Sequence, residues 1–183
     1  MNNVRFHPER DSSSLFITVR GHKDLKGLRD RDFLLDSEVD RIRKAYPNLY
    51  VLRYYCFENY LYHPDNLASM GLNGFDREIY IDSILAQKND KIFSIISNYK
   101  SARKSYAEFK IERERIEQKK REEDVVVSLR SDVFEEFYKF FSMKDHFNKS
   151  IIESYNISQE SLAQTSWFKD KMREILPFLA SEV

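Results

Sequence analysis

The chain has few of the residues that make small proteins loop-rich or disulfide-stabilised. It contains one cysteine, Cys56, four glycines and four prolines among 183 residues. A single cysteine excludes an intrachain disulfide and a multi-cysteine zinc site. Scarce glycine and proline favour long regular elements over loops. Cys56 lies in an apolar run, which predicts a small buried core residue.

Net charge and long apolar runs are also missing. Lys plus Arg and Asp plus Glu number 30 each, so bulk charge offers no argument for nucleic-acid binding. No stretch approaches the ~18–20 apolar residues of a membrane span, and the N-terminal residues lack the apolar segment of a signal peptide. We therefore expect a cytoplasmic protein with no membrane partner. Hydrophobic residues, 42% of the chain, suffice for a core.

The first third of the chain alternates strand and helix signals. Apolar strand candidates lie at residues 4–7, 25–30 and 49–54. Helix N-cap residues at 11–14 and 36–38 separate them. Strands that alternate with helices are typical of a parallel α/β sheet. We therefore predict a small, mostly parallel sheet in residues 1–68.

The remainder, residues 69–183, is predicted to be a helical C-terminal extension. Apolar residues at alternating three- and four-residue spacings predict a long charged helix over about residues 90–123. Its stripe comprises Ile92, Ile95, Tyr99, Ala102, Tyr106, Phe109, Arg113 and Ile116. Mixed charges on this helix favour a solvated surface over a nucleic-acid face. Two further apolar faces follow, one with Phe134, Phe137, Tyr138 and Phe141, the other with Phe168, Met172, Ile175, Leu176 and Leu179.

Two carboxylates follow the second strand candidate, in Asp-Arg-Asp-Phe at residues 30–33. Side chains alternate along a strand, so Asp30 and Asp32 are expected on the same side. Neighbouring carboxylates repel unless a proton or a cation intervenes, and Mg²⁺ prefers oxygen ligands. The pair is therefore a candidate Mg²⁺ site. The alternative is a solvated turn in which Arg29 and Arg31 neutralise the two acids.

A second motif, Tyr-Tyr-Cys-Phe-Glu-Asn-Tyr-Leu at residues 54–61, follows the third strand candidate. The order of strand, Asp-Arg-Asp-Phe, helix, strand and Glu-Asn-Tyr-Leu box resembles a known domain. It is similar to the Toprim-like domain C-terminal to AAA or ABC-type ATPases in nucleases related to the OLD (overcoming lysogenization defect) family. The resemblance covers about residues 4–68 and is strongest to a subfamily with both motifs.

This resemblance implies a metal-dependent nuclease that hydrolyses phosphodiester bonds of DNA, with a role in phage defence. Asp30 and Asp32 would be metal ligands for Mg²⁺ or Mn²⁺, and Glu58 a further catalytic acid. The alternatives for Glu58 are that it orients Arg31 or Arg53, or that it is a carboxylate stabilised by the dipole at a helix N-terminus. Arg31 and Arg53 would bind phosphate, with ordinary ion pairing as the alternative. The chain has no Gly-x-x-x-x-Gly-Lys-Ser/Thr motif, so an ATPase domain or subunit is the expected partner.

A Toprim-like domain normally begins with a further strand that ends in a glutamate, and that strand would lie before Met1. The chain therefore resembles the C-terminal part of a longer, N-terminally truncated protein. With only part of the acidic ligand set, we expect weak Mg²⁺ binding and little activity from this chain alone.

The other hypothesis is a non-catalytic interaction module, in which the α/β unit is a scaffold and the long helix docks a partner or a second copy. Asn59 is expected to cap a helix. The four histidines have no metal-ligand spacing and are expected at the surface or in local hydrogen bonds; they are His7, His22, His63 and His146.

Overall fold

The computed structural model describes residues 7–105 and 115–180. These residues form a mixed α/β structure that is mostly helical. The elements in chain order are α1 Ser12–Gly21, β1 Gly27–Arg29, α2 Asp36–Ala45, β2 Leu49–Val51, α3 Glu58–Leu61, α4 Pro64–Ala68, α5 Arg77–Ser105, α6 Arg115–Arg130, α7 Phe134–Phe137, α8 Ser150–Glu153, α9 Gln159–Ala163, α10 Ser166–Arg173 and α11 Leu176–Ala180. The strand predicted at residues 4–7 lies outside the described residues except for His7.

Strands β1 and β2 form a two-stranded parallel sheet, and α2 makes the crossover between them. Gly27 pairs with Leu49 and Arg29 with Val51. The parallel βαβ unit was predicted from the sequence, and the structure confirms it within the described residues. Both strands are shorter than the apolar runs that predicted them.

Helix α1 packs closely against β1 because residue 27 has no side chain. A Cβ atom at Gly27 would lie 2.7 Å from the Val19 side chain and 2.9 Å from the Leu49 side chain. The predicted N-cap of α1 is present, since the Asp11 carboxylate accepts a hydrogen bond from the Ser14 backbone N–H at 2.7 Å. Helix position and strand register are therefore coupled at this glycine.

Helices α5 and α6 pack side by side in opposite directions. Lys88 Nζ donates to the Ser131 carbonyl at 2.7 Å, and Tyr99 lies within electrostatic reach of Glu122 and Asp124. The prediction of one helix over 90–123 is therefore wrong, because the chain direction reverses between α5 and α6. Residues 106–114 of the predicted stripe lie outside the described residues. The sequence carries no Gly or Pro between residues 74 and 177 to mark a reversal.

The main apolar core joins the two halves of the chain. Phe33, Leu52 and Tyr60 pack in the same cluster as Tyr99 and many side chains of the later helices. A smaller cluster lies between the sheet and helices α1 and α2; it comprises Phe16, Val19, Leu34, Val39, Ile42, Leu49 and Val51. The core thus continues across residue 68.

The predicted apolar faces of the last helices are confirmed in large part. Phe134, Phe137, Tyr138 and Phe141 are all buried, as are Phe168 and Ile175. Leu176 is exposed instead. In the part of the chain that the structure describes, no helix combines the length and apolar character needed to cross a membrane.

Candidate functional site

The candidate acids lie where the two parallel strands end. Asp30 follows β1 directly, and Glu58 begins α3 a few residues after β2. A hydrogen bond of 2.9 Å from the Asp32 backbone N–H to the Tyr55 carbonyl joins the two loops. The carboxyl ends of adjoining parallel strands share one edge of the sheet. We call this region, defined by Asp30, Asp32 and Glu58, the acidic edge.

The expectation that alternation along a strand puts Asp30 and Asp32 on the same side is wrong. Strand β1 ends at Arg29, and Asp32 has a backbone φ of 52° in the left-handed region. Such a φ is uncommon for residues other than glycine, although aspartate tolerates it better than most. The two carboxylates are brought near each other by the loop after β1.

Asp30 is partly buried near two other carboxylates, and its pKa is raised. Burial, together with the charges of Asp32 and Glu58, raises its pKa to about 6. The charge of Lys144 and a hydrogen bond from the Phe57 backbone N–H oppose this shift. The charges of Asp32 and Glu58 therefore both act on Asp30 at the acidic edge.

Asp32 is held by a buried arginine. Its carboxylate accepts hydrogen bonds from Arg29 Nη2 at 3.0 Å and from Ser12 Oγ at 3.3 Å. The Arg29 side chain is fully buried. Burial raises the pKa of Asp32, whereas the charge and hydrogen bond of Arg29 lower it. Arg29 therefore neutralises Asp32 without a metal ion, which is the alternative that the sequence left open.

Arg31, a candidate phosphate ligand, forms hydrogen bonds and an ion pair with other residues of the chain. Its buried guanidinium donates to the Leu34 carbonyl at 2.7 Å and to the Arg53 carbonyl at 3.1 Å. It also pairs with Asp36 at 2.8 Å, whose carboxylate is largely exposed. Arg31 thus fastens the loop after β1 to the loop after β2.

Arg53, the second candidate phosphate ligand, is exposed at the end of β2. Its guanidinium carbon lies 5.6 Å from the centre of the Tyr54 ring. Of the two candidates, Arg53 is the one that a ligand from solvent can reach.

Asn59 is not a helix cap, contrary to the prediction. It lies inside α3 and is fully buried. Its Nδ2 donates to the carbonyls of Tyr138 and Phe141 at 3.2 and 2.9 Å, and its Oδ1 accepts from the Met143 N–H at 3.3 Å. Asn59 therefore joins the acidic edge to a turn more than 80 residues later in the chain.

That turn brings Lys144 and Asp145 to the acidic edge, where sequence reasoning did not place them. Lys144 lowers the pKa of Asp30, and Asp145 raises the pKa of Asp32. Both are exposed, and Ser142 Oγ donates to the Asp145 carboxylate at 2.9 Å. Their sequence context is that of an ordinary charged turn, so no local signal identified them.

The prediction for Cys56 is confirmed, and the expectation that the histidines lie at the surface or in local hydrogen bonds is met at His63 by a local hydrogen bond. Cys56 is buried, and burial raises the pKa of its thiol, which makes it unreactive. His63 and His146 are also buried. His63 Nδ1 accepts from the Asp65 N–H at 3.2 Å, and its ring stacks on Trp167 with centroids 4.6 Å apart.

Metal binding at this edge rests on few donors. Within residues 7–105 and 115–180, no group of three or more His, Cys, Asp or Glu side chains is arranged to hold a metal ion. Asp32 is paired with Arg29, which leaves Asp30 and Glu58 as the two remaining carboxylate donors of the acidic edge. Two carboxylates suit a weakly held Mg²⁺ that keeps several of its waters.

The comparisons with known proteins give no family for this chain. Neither the protein-family models, nor the curated proteins, nor the solved structures contain a match. The function has to be argued from the residues at the acidic edge.

Proposed function

We propose that the acidic edge is a weak divalent-cation site and that the chain is part of a cytoplasmic, metal-dependent nuclease that acts on DNA with an ATPase partner. One observation carries the proposal. Asp30 and Glu58 follow different strands, yet they lie close enough for the charge of Glu58 to raise the pKa of Asp30. Carboxylates from adjoining strand ends are a common source of ligands for Mg²⁺ or Mn²⁺.

The side chains at and near the acidic edge have separate roles in this proposal. Asp30 and Glu58 would supply oxygen ligands, and Asp32 would stay in place through Arg29. A bound cation would act as a Lewis acid on the phosphodiester. Lys144 and Arg53, both exposed, would balance phosphate charge near the edge. Two carboxylates do not complete a two-metal centre, so a further acidic ligand from another segment or subunit belongs to the proposal.

Asp30 should lower the stability of the folded chain when no cation is bound. Its pKa of about 6 in the folded state exceeds the ordinary value of 3.8 for an aspartate side chain. The folded state therefore binds more protons between about pH 4 and 6, and stability falls as pH rises through that window. The loss above pH 6 is on the order of 2 kcal/mol after allowance for partial exposure. A cation at Asp30 would remove part of this loss.

Thermal unfolding at pH 7.5 with increasing Mn²⁺ or Mg²⁺ tests the cation site. We expect the wild-type Tm to rise with millimolar cation. Asp30→Asn should begin at a higher Tm, because it removes a buried charge, and should not respond to cation. Asp40→Asn is the control, since Asp40 is exposed on α2. Equal responses of wild type and Asp30→Asn would contradict the cation site.

Plasmid cleavage tests the nuclease. The chain by itself should cleave little or not at all with Mg²⁺ or Mn²⁺, because its ligand set is incomplete. A longer protein that supplies the missing acid and the ATPase should cleave, and Asp30→Ala in that protein should reduce cleavage by orders of magnitude. Full activity of the Asp30→Ala protein would exclude the acidic edge as the catalytic centre.

A non-catalytic interaction module is the second candidate, and one observation favours it. The Arg29–Asp32 and Arg31–Asp36 pairs use much of the local charge for internal contacts. If Asp30→Asn stabilises the chain and wild type shows no cation response, the acidic edge is a scaffold and this second function is the better one.

A further inference from the structure

Helix α5 presents an apolar residue to solvent at the centre of its outer face. Phe93 is 81% exposed, the most exposed large apolar side chain among those described. Ile84, Ile95 and Tyr99 on the inner face of the same helix are fully buried. A helix that is fully packed on one side and carries an exposed phenylalanine on the other has a second surface that water solvates poorly.

The charges along this outer face are separated by sign around Phe93. Asp82 and Asp90 lie before Phe93, and Lys100 and Lys104 lie after it, all exposed. The side chains between them are small or polar and include Ala86, Asn89 and Ser97. Asp82 and Lys104 are equally far from Phe93 in sequence, about 16 Å along the axis at 1.5 Å per residue.

The helix dipole alone does not account for this arrangement. The dipole favours acids in the first turn and bases in the last turn, and its effect is confined to those turns. Asp90 lies in the middle of the helix Arg77–Ser105, and Lys100 precedes its last turn. Lys100 and Lys104 are also four residues apart, a spacing at which like charges repel. A partner surface of opposite charge would offset that repulsion.

We propose that α5 pairs in antiparallel fashion with α5 of a second copy of this chain, about a two-fold axis at Phe93. A two-fold interface brings the same patch of each copy together. In this register Phe93 contacts the partner's Phe93. Asp82 lies opposite the partner's Lys104, and Ala86 lies opposite the partner's Lys100. The charge pattern is complementary to itself only in this antiparallel direction.

Helix α6 also carries an exposed apolar side chain near the level of Phe93. The hydrogen bond of Lys88 to Ser131 and the electrostatic interactions of Tyr99 with Glu122 and Asp124 place Phe93 level with about residue 127. Val127 is itself 69% exposed. The proposal rests on Phe93, and Val127 is a further apolar side chain left exposed at this level of the paired helices.

The surface is modest, so the dimer should be weak. A single helix pair of this length buries less than the ~1,200–2,000 Å² of a standard stable interface. We expect a dissociation constant in the range of about 10–100 µM. Sedimentation velocity over about 5–500 µM chain should show a concentration-dependent shift from monomer to dimer.

Phe93→Glu tests the apolar centre. It should leave the chain monomeric over the whole concentration range with unchanged circular dichroism, since residue 93 is exposed. Ile17→Glu is the matched control, because Ile17 is 65% exposed on α1 and should dimerise like wild type. A wild type that stays monomeric, or a Phe93→Glu protein that still dimerises, would overturn the proposal.

A charge reversal tests the register. Asp82→Lys alone and Lys104→Asp alone should each weaken dimerisation several-fold through like-charge contacts, more at low salt than at high salt. The double variant Asp82→Lys/Lys104→Asp should recover wild-type affinity, because the exchanged charges again face opposite partners. A double variant weaker than both single variants would overturn the antiparallel register.

Discussion

The sheet end and the helical part of the molecule bury different kinds of side chain. Around the sheet and its junction with α5, four charged side chains are almost fully buried: Arg29, Arg31, Glu38 and Arg103. The centre of the helical part instead packs aromatic rings, with Phe134 against both Phe137 and Tyr138, and its buried charged side chain Lys88 lies over the Phe137 ring. Two strands of three residues each offer little apolar area, so polar contacts with defined geometry hold this end together.

This difference in buried side chains predicts which kind of substitution each part tolerates. An aromatic core loses free energy roughly in proportion to the area and volume removed. A buried ion pair behaves otherwise, because removal of one partner leaves the other charged and desolvated, while replacement of both can be nearly neutral. We expect the sheet end to be sensitive to single changes and tolerant of matched double changes.

The largest effect is expected at the junction of α2 and α5. Arg103 Nη2 and Glu38 Oε1 lie 2.6 Å apart with both side chains buried. Arg103→Met should lower the free energy of unfolding by about 3–5 kcal/mol, because Glu38 stays buried without its ion-pair partner. Arg103→Met/Glu38→Leu should recover most of that loss in urea unfolding. A double variant no more stable than the single one would contradict the comparison.

A smaller loss is expected where the two regions meet. Asn59→Leu keeps the side-chain volume but leaves the Tyr138 and Phe141 carbonyls and the Met143 N–H without their partner. We expect a loss of about 2–3 kcal/mol, since each buried unsatisfied group costs about 1 kcal/mol or more. Amide hydrogen exchange should show the largest change near residues 138–146. Asn89→Leu, at an exposed position of α5, is the control.

The smallest effect is the pH dependence of stability that comes from His63, which lies among the aromatic side chains. Burial lowers the pKa of His63 to about 4, with the charges of Arg77, Lys171 and Arg53 adding to the shift and Asp65 opposing it. The unfolded chain, with a histidine pKa near 6.5, binds more protons between pH 6.5 and 4. Stability therefore falls as pH falls through that window, by about 2 kcal/mol at pH 5.

His63→Asn isolates this effect, because asparagine can still accept the Asp65 N–H but does not titrate in this range. The variant should lose stacking on Trp167 and start less stable at pH 7.5, yet lose less stability than wild type between pH 7 and 5. Urea unfolding at each pH gives the difference, which removes the opposite contribution of Asp30. Equal pH dependence of both proteins would show that His63 is already charged or exposed.

Local patterns predicted much of the fold because they depend on nearby residues. The Asp11 cap, the apolar runs of β1 and β2, and the three- and four-residue spacing of Phe134, Phe137 and Tyr138 each report on a few neighbours along the chain. The candidate acids Asp30, Asp32 and Glu58 were identified in the same way, from their places after strand candidates. What each carboxylate contacts was not predictable at that level.

The sequence by itself thus determined the strand-helix-strand order around β1, α2 and β2, the Asp11 cap of α1 and much of the apolar pattern of the later helices, because backbone periodicity and capping act over short distances. Only the tertiary structure decided that the chain reverses between α5 and α6. The tertiary structure also decided that the buried Asn59 connects α3 to a later turn and that Lys144 lies beside Asp30. These features depend on contacts between residues some 40 to more than 80 positions apart, and the free energy of such pairings is not encoded in any single stretch of sequence.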